Sequence, residues 1–285
     1  MTNNDRAPKN ARREAARETA RLQREQEQKR QRRNRFFLQG GIGAAVVVVA
    51  LVVILVVVNS NSGSTAKVST EAGPANLPTD GILFTGVNGS VTPTLGSGVA
   101  AGATPKPVAS SNADGSAKVV TYIDWACPAC KQFEATYSSE IQSLVANGTA
   151  TLEIHPVSIL DRSYQNSRYA SRAANAAACV ANFDPDKFLA VQNEFYDNQP
   201  TEGSTGLTDT QIKRLIARGG VVDKKVTTCV DSETYKSWVT AATNRATSDP
   251  ALVNPTSGGF STPTVVVNGK RWDNTTDLLS LIKKS

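Results

Sequence analysis

Val119-Val120-Thr121-Tyr122-Ile123-Asp124-Trp125-Ala126-Cys127-Pro128-Ala129-Cys130 decides how the rest of the chain is read. An apolar run suited to a strand leads into two cysteines two residues apart. A helical pattern follows, with Phe133, Tyr137, Ile141, Leu144 and Val145 at turn spacing. A cysteine at the point where a strand turns into a helix sits at the helix N-terminus. Unpaired backbone N–H groups and the helix dipole there favour its thiolate. Pro128 suits the first helical turn, where its missing N–H costs nothing. The second sulfur lies within reach to close a disulfide, so the pattern predicts a dithiol redox centre. Two blander readings compete, a structural disulfide and half of a zinc site. Zinc requires a second close pair of ligands, which the sequence lacks.

Upstream, the charge is unevenly distributed. The 285 residues carry a formal net charge of +6, but residues 1–35 hold twelve Lys/Arg against five Asp/Glu, leaving the other 250 with nineteen against twenty. The folded part is nearly neutral, which argues against nucleic acid as a partner. The basic tail has no apolar stripe and cannot bury a core. From Phe36 to Val58 there follow 23 residues without a charge, and Ala44–Val58 are all aliphatic. As a helix this run spans roughly 34 Å, enough to cross a bilayer. With basic residues only on its N-terminal side, it reads as an uncleaved signal-anchor with residues 1–35 in the cytoplasm and the rest outside. A cleaved signal peptide is the rival, but its apolar region is usually shorter, about 7–15 residues. Residues 59–80 read as a flexible linker with a reach of roughly 25 Å, and 81–116 as an extension and loop with a hairpin signal at Val87-Asn88-Gly89.

Downstream of the cysteines, Asn147-Gly148 closes the first helix and Thr149–Ile159 is a second strand. Helices are predicted over Asn166–Val180, after Asp184-Pro185, after the capping box Thr208/Gln211, and within Val221–Arg245. Thr262-Pro263-Thr264-Val265-Val266-Val267 is a β run, Asn268-Gly269 a type I′ hairpin signal with Arg271-Trp272 returning, and Thr276–Lys283 a closing helix. The predicted class is α/β, with strand–helix–strand, several helices inserted over about 162–247, then hairpin and helix.

Taken together, residues 117–285 resemble the DsbA-like thioredoxin family over about 117–284, with a thioredoxin fold carrying an inserted helical subdomain. The resemblance implies that Cys127 is the nucleophile and Cys130 the resolving cysteine. It implies that Pro263 is a cis-proline facing them after Thr262, with Pro128 and Ala129 beside the substrate chain. Asp124, three residues before Cys127, fits the pattern, as does the closing Thr-Pro-Thr-Val-Val-Val-Asn-Gly. Two positions depart from it. Many relatives hold a buried carboxylate six residues before the nucleophile, where this chain has Thr121. Oxidising relatives often have His where it has Ala129, so the Cys127 pKa is expected in the upper half of the range of about 3.5–7.5.

Cys179 and Cys229, each within a predicted helix, are expected to pair in an oxidising compartment; a second redox centre is the alternative. His155, the only histidine, is either a satisfied strand residue or a modulator of the pair, and Asp124 is a second possible modulator. No metal or cofactor is called for. The expected function is a membrane-anchored, extracytoplasmic thiol–disulfide oxidoreductase that oxidises cysteine pairs in exported proteins and is recycled by a membrane redox partner. A reductase or isomerase of the same fold is the alternative within chemistry. A tethered thioredoxin-fold binding module or chaperone is the alternative of another class.

Overall fold

The computed structural model describes residues 68–284; the basic tail, the predicted span Phe36–Val58 and the first part of the predicted linker lie outside them. Among the described residues no helix is long and apolar enough to cross a membrane. The strands are β1 (Ile82–Val87), β2 (Ser90–Pro93), β3 (Ala117–Ile123), β4 (Ala150–Pro156), β5 (Thr264–Val267) and β6 (Lys270–Arg271). The helices are α1 (Pro128–Ala146), α2 (Tyr169–Phe183), α3 (Phe188–Asp197), α4 (Asp209–Arg218), α5 (Lys224–Asp231), α6 (Lys236–Ser248) and α7 (Leu278–Lys283). One mixed sheet runs β2-β1-β4-β3-β5-β6. β3 and β4 are parallel, joined by α1 as the crossover that parallel strands require, and the other pairings are antiparallel. The thioredoxin-like fold with its helical insertion is therefore present.

β3 is buried along its whole length, which is why it reads as a continuous apolar run rather than an alternating one. Both hairpins turn on Asn-Gly, with φ of 51° and 77° at Asn88-Gly89 and 47° and 74° at Asn268-Gly269. A type I′ turn needs positive φ at both central positions, and Asn and Gly adopt it at least cost. At Thr208 the capping box closes in both directions. At Asp184 the expected cap does not form. Pro185–Lys187 makes a 3-10 turn, and α3 starts only at Phe188. Val221–Arg245 holds two helices, broken where Glu233 takes φ 47°.

The stretch read as a flexible linker is packed over its last residues. Leu77 is fully buried, and the Asn76 amide donates to the Ala181 carbonyl at 2.8 Å. Asp80 accepts from the Trp238 indole at 3.0 Å and pairs with Arg245 at 2.6 Å. Composition alone makes these residues look unstructured, because their partners lie on α2 and α6, more than a hundred positions away. Gly98 is small for the same reason: a Cβ there would lie 2.2 Å from the Pro74 carbonyl oxygen.

The sheet separates two cores. On one face Ile82, Phe84, Val119, Ile123 and the cysteine pair pack with the helical insertion. On the other, Val120 and Tyr122 pack with Val157, Ala246, Leu252 and Phe260. Alternation along β3 and β4 places Lys118, Glu153 and His155 on this second face.

Candidate active site

Cys127 is the residue just before α1, in extended conformation (φ −85°, ψ 118°), and Pro128 takes the first helical turn. Cys127 and Cys130 are both free thiols. Cys130 is completely buried and Cys127 is 4% exposed. The cover comes from the loop before β5, where the Thr262 carbonyl accepts from the Cys127 sulfur at 3.4 Å. Hydrogen bonding from the Cys130 thiol lowers the Cys127 pKa to about 7, against burial, with further help from the Thr262 side chain and the N–H groups of Cys130 and Ala129. Burial and the bond it donates to Cys127 push the Cys130 thiol the other way, well above the ordinary range. One sulfur is thereby prepared as a thiolate and the other held as a thiol.

The loop between β3 and α1 is clamped from several parts of the chain. Asp124 accepts from the backbone N–H of Ala126 (2.8 Å), Ile159 (2.8 Å) and Leu160 (3.1 Å), so it ties the cysteine loop to the segment after β4. It is fully buried, and burial outweighs those donors, lifting its carboxyl to about 8. The Tyr164 hydroxyl donates to the Ala126 carbonyl at 2.7 Å. The Gln199 amide donates to the carbonyls of Trp125 (2.8 Å) and Cys127 (3.0 Å). The Trp125 ring lies edge-on to Phe188 and Phe195 of α3, each 6.2 Å away between centroids. Tyr164 and Gln199 were not found from sequence. They lie outside any recognisable pattern, and nothing local marks a side chain whose partner is a backbone carbonyl 38 or 72 residues away.

The Thr262–Pro263 peptide is cis. Thr262 is buried, Pro263 and Ala129 are half-buried and Pro128 is exposed. His155 is elsewhere. It is buried on the opposite face of the sheet, stacked on Tyr122 at 4.5 Å between centroids, with Nε2 3.0 Å from Glu153 Oε1. The partner of this strand histidine is a carboxylate and not a backbone group, and the sheet separates it from the cysteines. Cys179 and Cys229 form a disulfide joining α2 to α5, with Cα atoms 5.8 Å apart.

Two cysteines around a helix N-terminus, a cis-proline peptide across from them and a thioredoxin-like sheet define a dithiol site of the thioredoxin class. The thioredoxin family profile matches residues 104–284, and the chain belongs to that family. Within it, the chain is similar to DsbA-like thiol–disulfide oxidoreductases. The reduced disulfide bond oxidoreductase DsbG of Mycobacterium tuberculosis superimposes with a TM-score of 0.54 at 29% identity, over 73% of this chain and 88% of that one. Reduced DsbA of the same organism gives 0.53 at 30%, over 72% and 91%. Among curated sequences, the serine/threonine-protein kinase PknE of M. tuberculosis is 27% identical over 122 residues, 41% of this chain. The match spans only 22% of that protein's length.

Proposed function

We propose that this protein is anchored in the membrane by Phe36–Val58, holds residues 68–284 outside the cytoplasm, and passes a disulfide from Cys127–Cys130 to cysteine pairs of exported proteins. The observation that carries this reading is the opposed state of the two thiols, one lowered at a helix start and one buried behind it. In the forward cycle a substrate thiolate attacks the Cys127 sulfur of the enzyme disulfide and Cys130 leaves. A second substrate thiolate then attacks the substrate sulfur of the mixed disulfide, and Cys127 leaves as thiolate. Two electrons pass from the substrate pair to the enzyme, and a membrane redox partner removes them again. Pro128, Ala129, Thr262 and Pro263 border the substrate chain, which pairs with the backbone beside Pro263 as an added strand. The Cys179–Cys229 disulfide supports an oxidising compartment.

A reductase or isomerase is the second reading, favoured by a Cys127 pKa of about 7, close to the value of about 7 in thioredoxin. Equilibrating the full chain with glutathione separates the two. A reduction potential near the oxidising end, about −120 mV, with oxidation of a reduced test protein, is expected. A value near thioredoxin's, about −270 mV, with disulfide-reducing activity, makes the enzyme a reductase. Activity untouched by Cys127→Ala would leave only a binding module or chaperone.

A further inference from the structure

The residue before α1 is Cys127, and the helix has no side-chain oxygen to cap it. Its first turn is held instead through the carbonyls that lead into it. The Lys131 N–H donates to the Cys127 carbonyl at 3.2 Å, longer than the usual ~2.9–3.0 Å. The Gln199 amide nitrogen reaches the same carbonyl at 3.0 Å and the Trp125 carbonyl at 2.8 Å. Carbonyls only accept, so the nitrogen and not the oxygen of this amide must face them. One planar NH₂ group therefore fixes two carbonyls of the cysteine loop relative to each other.

Ala126, between those two, is held as well. The fully buried Tyr164 donates its hydroxyl to the Ala126 carbonyl at 2.7 Å, with the Pro200 carbonyl 3.2 Å from the same oxygen. Three consecutive carbonyls of the cysteine loop thus take side-chain donors from the helical insertion. Tyr164 ends the 3-10 turn after β4, and Gln199 lies just past α3. The Trp125 ring packs edge-on to Phe188 and Phe195 of that same helix. α3 therefore places both the ring and the backbone of the turn. The titratable groups that share a field with Cys127 are Cys130 on α1, Asp124 after β3, Tyr164 and, on α3, Tyr196. Gln199 itself does not titrate.

We propose that Gln199 is a positioning residue of the dithiol site: by stapling the Trp125 and Cys127 carbonyls it keeps the first N–H groups of α1 aimed at the Cys127 sulfur, with Tyr164 holding Ala126 between them. The redox consequence rests on the dithiol reading above. A helix N-terminus favours a thiolate only while its N–H groups point at the sulfur. Those of Ala129 and Cys130 do so here, and both lie within three residues of the stapled Cys127 carbonyl. Cys127 becomes a thiolate as it leaves the substrate sulfur, so a staple that steadies this state favours handing the disulfide on. Loss of the staple lets the carbonyls turn, the N–H groups lose their aim, and the thiolate becomes harder to form.

The test compares the full chain with Gln199→Met, which keeps the length of the side chain and removes both N–H groups. Ultraviolet titration of the reduced protein should find the Cys127 midpoint moved up from about 7 toward the free value of about 8.5. Equilibration with glutathione should shift about fivefold toward the enzyme disulfide at about pH 9, the weight of one lost hydrogen bond. It should not shift at about pH 5, where the thiol is protonated in both chains. An unchanged Cys127 midpoint overturns the proposal and leaves the dithiol reading intact. An equal shift at both pH values marks a general loosening of the loop and overturns it too. A parent chain that never forms its own disulfide overturns the dithiol reading itself. Should Gln199→Met fail to fold, the reduced parent labelled with nitrogen-15 at glutamine side chains is titrated instead. The Gln199 amide resonances should move with the Cys127 midpoint near pH 7. Resonances that stay constant overturn the proposal.

Discussion

At Cys127 the helix start is only part of the cause of the lowered pKa. The largest contribution is the thiol of Cys130, followed among the favourable ones by Thr262 and the local N–H groups, all working against burial. Ultraviolet titration of the reduced chain should show one thiolate appearing as pH rises through about 7, and Cys127→Ser should abolish it. Cys130 should stay protonated throughout that range, being pushed well above it. The folded value lies below the free thiol's, about 8.5. The thiolate's contribution to the stability of the reduced chain is therefore full above that value and lost as pH falls through about 7. Ala129 was the residue that set the expectation of an upper-range pKa, because no imidazole is available to donate beside the nucleophile. That reasoning needed only the dipeptide.

β4 shows how one element serves both faces of the sheet. Leu152 and Ile154 face the core that holds the cysteines, while Glu153 and His155 alternate to the other side. Glu153 takes the buried Lys118 Nζ at 2.6 Å, the buried His155 Nε2 at 3.0 Å and the half-buried Thr79 hydroxyl at 2.5 Å. Burial alone would raise its pKa, but the hydrogen bond and charge of His155, then Lys118 and Thr79, hold it at about 2. This carboxylate therefore stabilises the fold fully above its unfolded value of about 4.3, and the contribution is lost as pH falls toward 2. Glu153→Gln leaves the buried Lys118 without its counter-charge and should cost about 3–5 kcal/mol in urea unfolding at neutral pH. The Cys127 titration should not move, because the substitution lies across the sheet. Apolar residues such as Leu152 and Ile154 made the strand legible. The identity of its polar partners was not, since Lys118 and Thr79 come from other segments.

On the scale of the whole molecule, the chain divides its tasks by segment. In the proposed topology the tail and the aliphatic run carry address and orientation in their composition alone, because a bilayer selects for length, apolarity and flanking charge. External protease on intact cells should remove residues 68–284 and spare 1–35, checked with antibodies to each part. Cleavage confined to 1–35 would reverse the orientation. The packed part is tied together by contacts of long range. The Cys179–Cys229 disulfide spans 50 positions, Asp80 meets Arg245 across 165, and Cys127 meets the Thr262 carbonyl across 135.

By itself the sequence determined the parts that depend on neighbours in the chain. These are the strand-to-helix turn bearing two cysteines, the Asn-Gly hairpins, the Thr208 capping box and the β run after Pro263. In each the physical cause is complete within a few residues: a backbone angle, a capping oxygen or an apolar period. Tertiary structure decided that both sulfurs are buried, where Asp124 spends its oxygens, and that His155 lies across the sheet from the cysteines. It also decided that the residues just before β1 belong to the folded domain. Those outcomes depend on burial and on partners supplied by distant elements, and an isolated segment contains neither.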